Sequence, residues 1–397
     1  NDANNPNQIA GAVGFSVREN KVYIIKCKTM MVACGGAVNI YQPRSVGEGK
    51  GRAWYPVWNA GSTYTMCMQA GAELTMMENR FTPARFKDGY GPVGAWFLLF
   101  KAQTLNGLGE AFAGSDAAKA ELERYAPYGT AAITPTCLRN HLMLFEMKEG
   151  RGPIMMDTVT ALGKLGETMD KKELKHLESE AWEDFLDMTC GQPNLWCAQD
   201  CEPEKKNSEI MPTEPYLLGS HSGCCGLWTS GPDFDWVPDS YKIKADNGKV
   251  YNRMTTVNGL FTAGDGVGGS GHKFSSGSHA EGRMTAKAMV RYATDHADFT
   301  PTLQQSAQEL VDIAYQPVRT YLDHVDYTTA ANINPNYLKP EGMMYRLMKA
   351  THEYGAGTAT YYQTSTKSLE VVMDLLALMR EDWEKVAAGD LHELMRA

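Results

Sequence analysis

The sequence predicts an α/β fold in which one sheet is assembled from two remote segments of the chain. Residues 28–37 (Lys-Thr-Met-Met-Val-Ala-Cys-Gly-Gly-Ala) form an unbroken apolar run that ends in glycines, which is typical of a strand covered on both faces. Residues 257–265 (Val-Asn-Gly-Leu-Phe-Thr-Ala-Gly-Asp) form a second apolar strand. It leads through a glycine-rich loop into a helical run, as in nucleotide-binding sheets.

These two segments divide the chain into four predicted stretches. A first piece of the nucleotide-binding domain covers residues 1–60, and its second piece covers 251–298. Between them lies an α+β capping or substrate domain at 61–250. Residues 299–397 follow as a helical domain, because their apolar positions recur at helical spacing, most clearly between 367 and 388.

The second strand and its loop predict a site for a large anionic or polyhydroxylated ligand. Gly264 lets the backbone approach a ligand, and Asp265 can accept hydrogen bonds from ribose or ribityl hydroxyls. A helix that begins near Ser275 offers free N–H groups and the positive end of its dipole. The first strand should end beside the same ligand, at Ala33, Gly35 and Gly36.

Composition excludes several classes of protein. The net charge of −9, from 38 basic and 47 acidic residues, argues against a general affinity for nucleic acid. No apolar run reaches the length of about 18 residues that a transmembrane helix needs. The chain shows no initiating Met and no secretory leader, and it ends within a helical pattern, so we expect an internal fragment of a longer cytoplasmic protein.

The nine cysteines predict free thiols in a reducing compartment. They are scattered and contain no Cys-x-x-Cys, so we expect no iron–sulfur cluster, zinc or other metal on this chain. The adjacent Cys224 and Cys225 fit either a buried turn or a vicinal thiol pair near an active site.

Local patterns predict the remaining elements in chain order. Alternation at 8–18 and 21–26 indicates a β-hairpin, and a helix from about Ser62 should end at Gly71. Further predictions are a strand at 73–81, helices at 115–125 and 169–190, a hairpin around residues 246–248, and a helix at 303–322 that Pro317 divides.

Two groups of cations are candidates for binding an anion. Arg80, Arg85 and Lys87 lie in a loop with several aromatic residues, including Trp96. This loop is either an ordinary basic surface loop or the lining of a pocket for an anionic, ring-bearing substrate. Arg139 lies beside an apolar run, so it either bridges an internal carboxylate or waits for a ligand anion.

The order of these motifs resembles the flavoprotein subunits of the fumarate reductase and succinate dehydrogenase superfamily. Members carry Ala-Thr-Gly-Gly where this chain has residues 33–36 (Ala-Cys-Gly-Gly), and a strand ending in Ala-Gly-Asp or Ala-Gly-Glu where it has 260–265. Within that superfamily, residues 79–100, 212–228 and 272–278 are similar to the alpha subunits of dissimilatory adenylylsulfate (APS) reductase. The likeness extends over essentially the whole chain.

This resemblance implies an FAD-binding Rossmann-like domain whose N-terminal part is missing, because the family's N-terminal strand and Gly-x-Gly-x-x-Gly turn, which hold the FAD pyrophosphate, do not precede residues 28–37. It implies the two-electron reduction of APS to sulfite and AMP, or the reverse oxidation, through a sulfite adduct at flavin N5. FAD should be bound non-covalently. A ferredoxin-like beta subunit with two [4Fe–4S] clusters would pass the electrons within a heterodimer.

The resemblance also assigns residues. Arg139 and His272 match the family's sulfate-binding arginine and histidine, and Trp96 would pack against the flavin ring or the substrate. His221 is a further candidate. The predicted cofactor-binding residues are Ala33, Gly35, Gly36, Gly264, Asp265, Ser275, Ser276 and Ser278.

Two other functions stay open at this point. One is a dehydrogenase like fumarate reductase or succinate dehydrogenase. Relatives that handle dicarboxylates carry His-Tyr-Thr-Met-Gly-Gly where this chain has residues 221–226 (His-Ser-Gly-Cys-Cys-Gly), which argues against it. The other is a flavin-bearing scaffold that only relays electrons.

Overall fold

The computed structural model describes most of the 397 residues. The residues outside the described part are 43–55, 57, 88–90, 92, 99, 125–138, 174, 177–190, 219–224, 270–274 and 328–336. His221, Cys224 and His272 are among them, so what the sequence predicts for these three residues lies outside the described part. The same holds for most of the helix expected at 169–190.

The first described elements are an antiparallel hairpin and one short strand. Strands β1 (Gly11–Phe15) and β2 (Val22–Lys26) pair over five residues, which confirms the predicted hairpin. Strand β3 (Met30–Val32) is shorter than the predicted run. Val32 is buried but Met31 is 40% exposed, so the expectation that both faces are covered is wrong for this strand.

Residues 61–250 contain a four-stranded antiparallel sheet with helices packed beside it. The sheet order is β5-β8-β7-β6, and Phe86, Trp96 and Trp196 pack edge to face in its core. The elements are α1 (Ser62–Gln69), β4 (Leu74–Thr75), β5 (Ala84–Phe86), α2 (Gly94–Leu98), β6 (Thr104–Leu105), α3 (Asp116–Glu123), α4 (Arg139–Lys148), β7 (Ile154–Met156), α5 (Thr158–Thr168), α6 (Gly191–Ala198), β8 (Ser208–Pro212) and β9 (Gly226–Leu227).

Two sequence expectations in this part have different outcomes. Helix α1 ends just before Gly71, whose φ of +99° confirms the predicted stop. The strand expected at 73–81 covers only Leu74 and Thr75, which pair with β9. It is interrupted because Met76 has a φ of +57°, a left-handed conformation that no strand continues.

The second nucleotide-binding segment contains strand β10 (Leu260–Thr262) and helix α7 (Ser275–Asp295). Strand β10 pairs in parallel with β3, with Leu260 opposite Met30 and Thr262 opposite Val32. The two remote segments therefore form one sheet, as the sequence predicts. All three β10 residues are buried, and α7 packs against them.

The C-terminal region is helical. Pro317 lies in the first turn of the second helix and divides the predicted run at 303–322 into two helices, as expected. The helices are α8 (Ala307–Ala314), α9 (Gln316–His324), α10 (Pro340–Tyr354), α11 (Thr366–Asp382) and α12 (Leu391–Arg396).

Among the described residues, no helix is both apolar enough and long enough to cross a lipid bilayer. The boundaries of the four predicted stretches stay predictions.

Candidate cofactor and substrate site

The carboxyl ends of β3 and β10 meet at one edge of their shared sheet. The Thr262 hydroxyl donates a hydrogen bond to the Val32 carbonyl at 2.8 Å, across the two strands. Two residues beyond the end of β3, the Cys34 N–H donates to the Thr63 hydroxyl of helix α1 at 3.1 Å. The ends of both strands and the start of α1 therefore form a single polar edge, where ligands of parallel sheets bind.

The backbone turns sharply at Gly264, directly after β10. Gly264 has a φ of +67°, which a residue with a side chain rarely adopts. Its N–H donates to the carboxylate of Glu281, on the second turn of α7, at 2.9 Å. A Cβ atom on Gly264 would lie 3.3 Å from the Ser278 hydroxyl, so the first turn of the helix packs directly on this turn.

Asp265 is half-buried at the same edge, and Tyr64 of helix α1 fixes its backbone. The Tyr64 hydroxyl donates to the Asp265 carbonyl at 3.0 Å. Burial raises the pKa of Tyr64 far above its usual value, and the neighbouring Cys225 and Asp265 raise it further. Tyr64 is therefore a neutral, permanent hydrogen-bond donor near neutral pH.

The glycines of this edge are packed against the protein itself. A Cβ atom on Gly36 would lie 2.5 Å from the Leu217 carbonyl oxygen, and one on Gly266 would lie 2.3 Å from the Thr262 hydroxyl. Gly35 has a φ of +80°, and a Cβ there would meet the side chain of Asn59 at 2.7 Å. These close approaches explain the glycines without a ligand, so contact of Gly35 and Gly36 with a cofactor stays a prediction.

The start of helix α7 is suited to bind a negatively charged group. Ser275 and Ser276 are exposed, Ser278 is half-buried, and the first turn of the helix has no acidic residue. Free N–H groups at the N-terminus of a 21-residue helix attract anions and electron-rich oxygens. Residues 265–274 connect Gly264 to this N-terminus in the sequence, and His272 among them lies outside the described residues.

Arg139 occupies the first position of helix α4 in the capping region. Its guanidinium lies over the Phe97 ring, 3.8 Å from the ring centroid, and burial lowers its pKa. Among the described residues, no carboxylate forms an ion pair with it. Arg139 borders a cavity of about 510 Å³ together with Phe97, Gln103, Thr104, Phe112 and Ser115. A ligand anion at Arg139, one of the two alternatives that the sequence leaves open, stays a prediction.

His141, two residues along the same helix, is engaged internally. Its Nε2 lies 2.7 Å from the carboxylate of the buried Glu121. Burial alone would raise the pKa of Glu121, but hydrogen bonds from His141 and Arg124 outweigh it and lower the pKa. The carboxylate of Glu121 therefore pairs with His141 and Arg124.

The three cations of the aromatic loop are also held within the protein by contacts or by burial. Arg80 donates to the carbonyls of Gly355 and Ala356, Lys87 pairs with Glu209 at 2.6 Å, and Arg85 is only 4% exposed. Of the two alternatives for this loop, these contacts argue against an ordinary basic surface loop at the three cations, and a pocket for an anionic, ring-bearing substrate stays a prediction.

Trp96 is 2% exposed and belongs to the aromatic core of the capping region. It contacts Phe86, Phe100 and Trp196, with ring centroids 6.3, 4.8 and 6.0 Å away. These contacts give Trp96 a structural role in the core. Its contact with a flavin or a substrate stays a prediction.

Sequence reasoning missed two residues of the site, Glu281 and Tyr64. Helix α7 buries Glu281, Thr285, Ala288 and Tyr292, which lie four, three and four residues apart. This helical spacing can be recognised in the sequence, and it places the acid Glu281 on the buried face of the helix. Tyr64 gives no comparable signal, because its role depends on where α1 packs.

No family model matches the chain. The chain is 61% identical over 395 residues to the adenylylsulfate reductase subunit alpha of Megalodesulfovibrio gigas, a match that covers 100% of this chain and 59% of the relative. The solved structure of adenylylsulfate reductase from Archaeoglobus fulgidus is 49% identical with a TM-score of 0.88, and covers 100% of this chain and 61% of that one.

Two further structures extend the comparison. A structure of adenosine-5-phosphosulfate reductase with sulfite as a covalent adduct matches with the same identity, coverage and TM-score. Quinol fumarate reductase of E. coli is 15% identical with a TM-score of 0.56, over 98% of this chain and 58% of that one, which shows a shared fold alone. The chain thus spans about three fifths of the length of the relatives it matches.

Proposed function

We propose that this chain, which is homologous along its entire length to adenylylsulfate reductase alpha subunits, acts in the FAD-dependent interconversion of APS with sulfite and AMP. The observation that carries the proposal is the match of 61% identity over 395 residues. A relative of equally close structure holds sulfite covalently, which supports sulfur chemistry at the homologous site. Fumarate reductase shares only the fold, so we prefer APS to a dicarboxylate as the substrate.

FAD fits the polar edge formed by β3, β10 and α7. Asp265 lies at the carboxyl end of β10, where an acid can accept hydrogen bonds from ribityl hydroxyls. The acid-free first turn of α7 would place N–H groups toward the electron-rich edge of the flavin ring. When bound, FAD supplies the two-electron chemistry at sulfur. The residues proposed to hold it are Ala33, Gly35, Gly36, Gly264, Asp265, Ser275, Ser276 and Ser278.

Arg139 is our candidate for stabilising the negative charge of the substrate. Its half-buried guanidinium has a planar face on Phe97 and hydrogen-bond donors on its edge, a geometry that suits a sulfate or phosphate group. A cation placed where charge develops on the departing phosphate is expected to contribute about 3 kcal/mol in a closed site. His272 and Trp96 are proposed to complete the site by analogy with the family.

The electrons are proposed to come from a separate iron–sulfur beta subunit. Within the described ranges of the chain, no group of three or more His, Cys, Asp or Glu side chains is arranged to hold a metal ion. The six cysteines in those ranges form no disulfide, and a reducing cytoplasm is part of our proposal. The proposed site binds APS as well as sulfite and AMP. It therefore suits either physiological direction, sulfate reduction or sulfur oxidation.

The most direct test is spectroscopic. The complete alpha subunit, co-expressed with its beta subunit, should bind FAD, and its flavin absorbance should bleach when sulfite and AMP are added. A flavin that does not respond to sulfite would contradict the proposal and favour an electron-relaying scaffold. Turnover of fumarate without turnover of APS would favour the dehydrogenase instead.

A further inference from the structure

Glu281 is a buried carboxylate that contacts Gly264 and Arg253, among its partners in the described part of the chain. It is 4% exposed on helix α7. One carboxylate oxygen accepts the Gly264 N–H at 2.9 Å, and the other lies 3.5 Å from a guanidinium nitrogen of Arg253. Arg253 lies before strand β10 in the sequence and has a φ of +67°. A buried charge is costly unless it is paired, so this arrangement needs both partners.

Helix α7 does not need Glu281 in order to pack on the sheet. One turn further along, the Thr285 hydroxyl donates to the Thr262 carbonyl of β10 at 3.3 Å, and Ala288 and Tyr292 pack in an apolar cluster with Phe261. These contacts hold the helix against the strand itself. Glu281 instead reaches beyond the end of the strand, to the first residue of the turn.

Two contacts flank the side chain of Asp265. The N–H of Gly264 is held by Glu281, and the carbonyl of Asp265 is held by the Tyr64 hydroxyl at 3.0 Å. With one contact on each side, the backbone between them has little freedom, and so the direction of the Asp265 Cα–Cβ bond is restricted. Gly264 alone would leave this turn adaptable, because glycine has several accessible conformations.

We propose that Glu281 is a positioning residue for the cofactor, which fixes the turn at Gly264 so that Asp265 is presented to the ribityl hydroxyls of FAD. This inference rests on the proposed flavoprotein function. It assigns to Glu281 no contact with FAD and no part in the chemistry at sulfur. Arg253 lies beside the buried carboxylate as its counter-charge.

A matched pair of substitutions isolates the hydrogen bond. Glu281→Gln and Glu281→Met both remove the charge and have similar volumes, but only glutamine keeps an oxygen that can accept the Gly264 N–H. In the complete subunit, the dissociation constant for FAD should be at least about tenfold higher for E281M than for E281Q, the size expected for losing one buried hydrogen bond. Visible circular dichroism of the bound flavin should change in E281M and stay close to wild type in E281Q.

Asp295→Asn is the control for stability. Asp295 is a carboxylate at the far end of the same helix, bound to Lys249 and Tyr251, so its loss should lower the melting temperature without changing the affinity for FAD. Equal FAD affinity in E281Q and E281M would overturn the inference, as would an equal loss of affinity in D295N. The outcome is independent of the substrate, because a flavoprotein that binds FAD but ignores APS would refute the proposed function and leave this comparison intact.

Discussion

In the cofactor region, Glu281 and Tyr64 hold the backbone of Gly264 and Asp265, whereas in the capping region Arg139 rests on the Phe97 ring with no carboxylate beside it among the described residues. In the cofactor region, side chains of helices α7 and α1 hold the backbone of one turn. The capping region keeps one half-buried cation whose charge is not balanced by a described neighbour. This difference suggests a rigid cradle on one side and an anion-binding group on the other.

The contrast also exists within helix α4 alone. His141 is bound to Glu121, and Glu146 forms two hydrogen bonds with Arg151 at 2.7 and 2.8 Å. Arg139, on the same helix, contacts an aromatic face instead. An internal ion pair serves stability, but a cation on a ring beside a cavity keeps its hydrogen-bond donors available to a ligand.

The largest effect is expected from removing that cation. Arg139→Ala in the complete enzyme should lower turnover of APS by about 10²-fold or more, because the developing charge loses its stabilising group. FAD content should stay at the wild-type level. Lys148→Ala, on the same helix but near Tyr361, is the matched control and should leave turnover unchanged. Wild-type turnover in the Arg139 variant would show that the assignment is wrong.

The rigidity of the cofactor region can be tested with a methyl group. A Cβ atom at Gly266 would lie 2.3 Å from the Thr262 hydroxyl and 2.7 Å from Thr63, so Gly266→Ala should lower the free energy of unfolding by about 2 kcal/mol. At Gly282, on helix α7, a Cβ atom would meet nothing within 4 Å. Gly282→Ala should therefore leave stability equal or slightly raised. Urea unfolding of both variants gives the comparison, and equal stabilities would show that the turn adapts.

A smaller effect is expected at the internal pair of the capping region. Hydrogen bonds from Arg151 lower the pKa of Glu146 against the opposing effect of burial, and Asn106 lowers it further. Because the folded pKa lies below the ordinary value of 4.5, this stabilisation is present above that pH and is lost as the pH falls through the folded pKa. Arg151→Met should lower the free energy of unfolding at neutral pH, because Glu146 loses both hydrogen bonds from the guanidinium.

The pH dependence separates this pair from a simple packing effect. Urea midpoints measured at neutral and at acidic pH should differ less in Arg151→Met than in the wild type, because the variant no longer favours the ionised form of Glu146. The same acid sensitivity in both proteins would mean that the pair contributes nothing measurable.

Much of the architecture could be predicted because it follows from patterns in the amino-acid sequence. The hairpin at β1 and β2, the division at Pro317 and the parallel pairing of β3 with β10 follow from alternation, proline geometry and matched apolar strands. The early end of the strand at Met76 could not be predicted, since a left-handed φ at a residue other than glycine leaves no mark in the sequence.

The site was harder to predict from the sequence than the fold. Glycines at 35 and 36 suggested the approach of a ligand, but Asn59 and Leu217 of the chain itself fill that space. The partners of His141 and of Arg80 depend on where distant segments pack, which no local pattern reveals. Arg139 could be singled out, since a cation beside an apolar run has few stable alternatives, but its stacking on Phe97 required the structure.

The central claim is that the edge formed by β3, β10 and α7 holds the flavin while Arg139 faces the sulfur group. A crystal structure of the complete alpha and beta subunits with FAD and sulfite tests it most directly. The flavin ring should lie between residues 33–36 and 264–278, with the Arg139 guanidinium within hydrogen-bond distance of the sulfite oxygens. A flavin bound elsewhere, or an Arg139 turned away from the sulfite, would contradict the account.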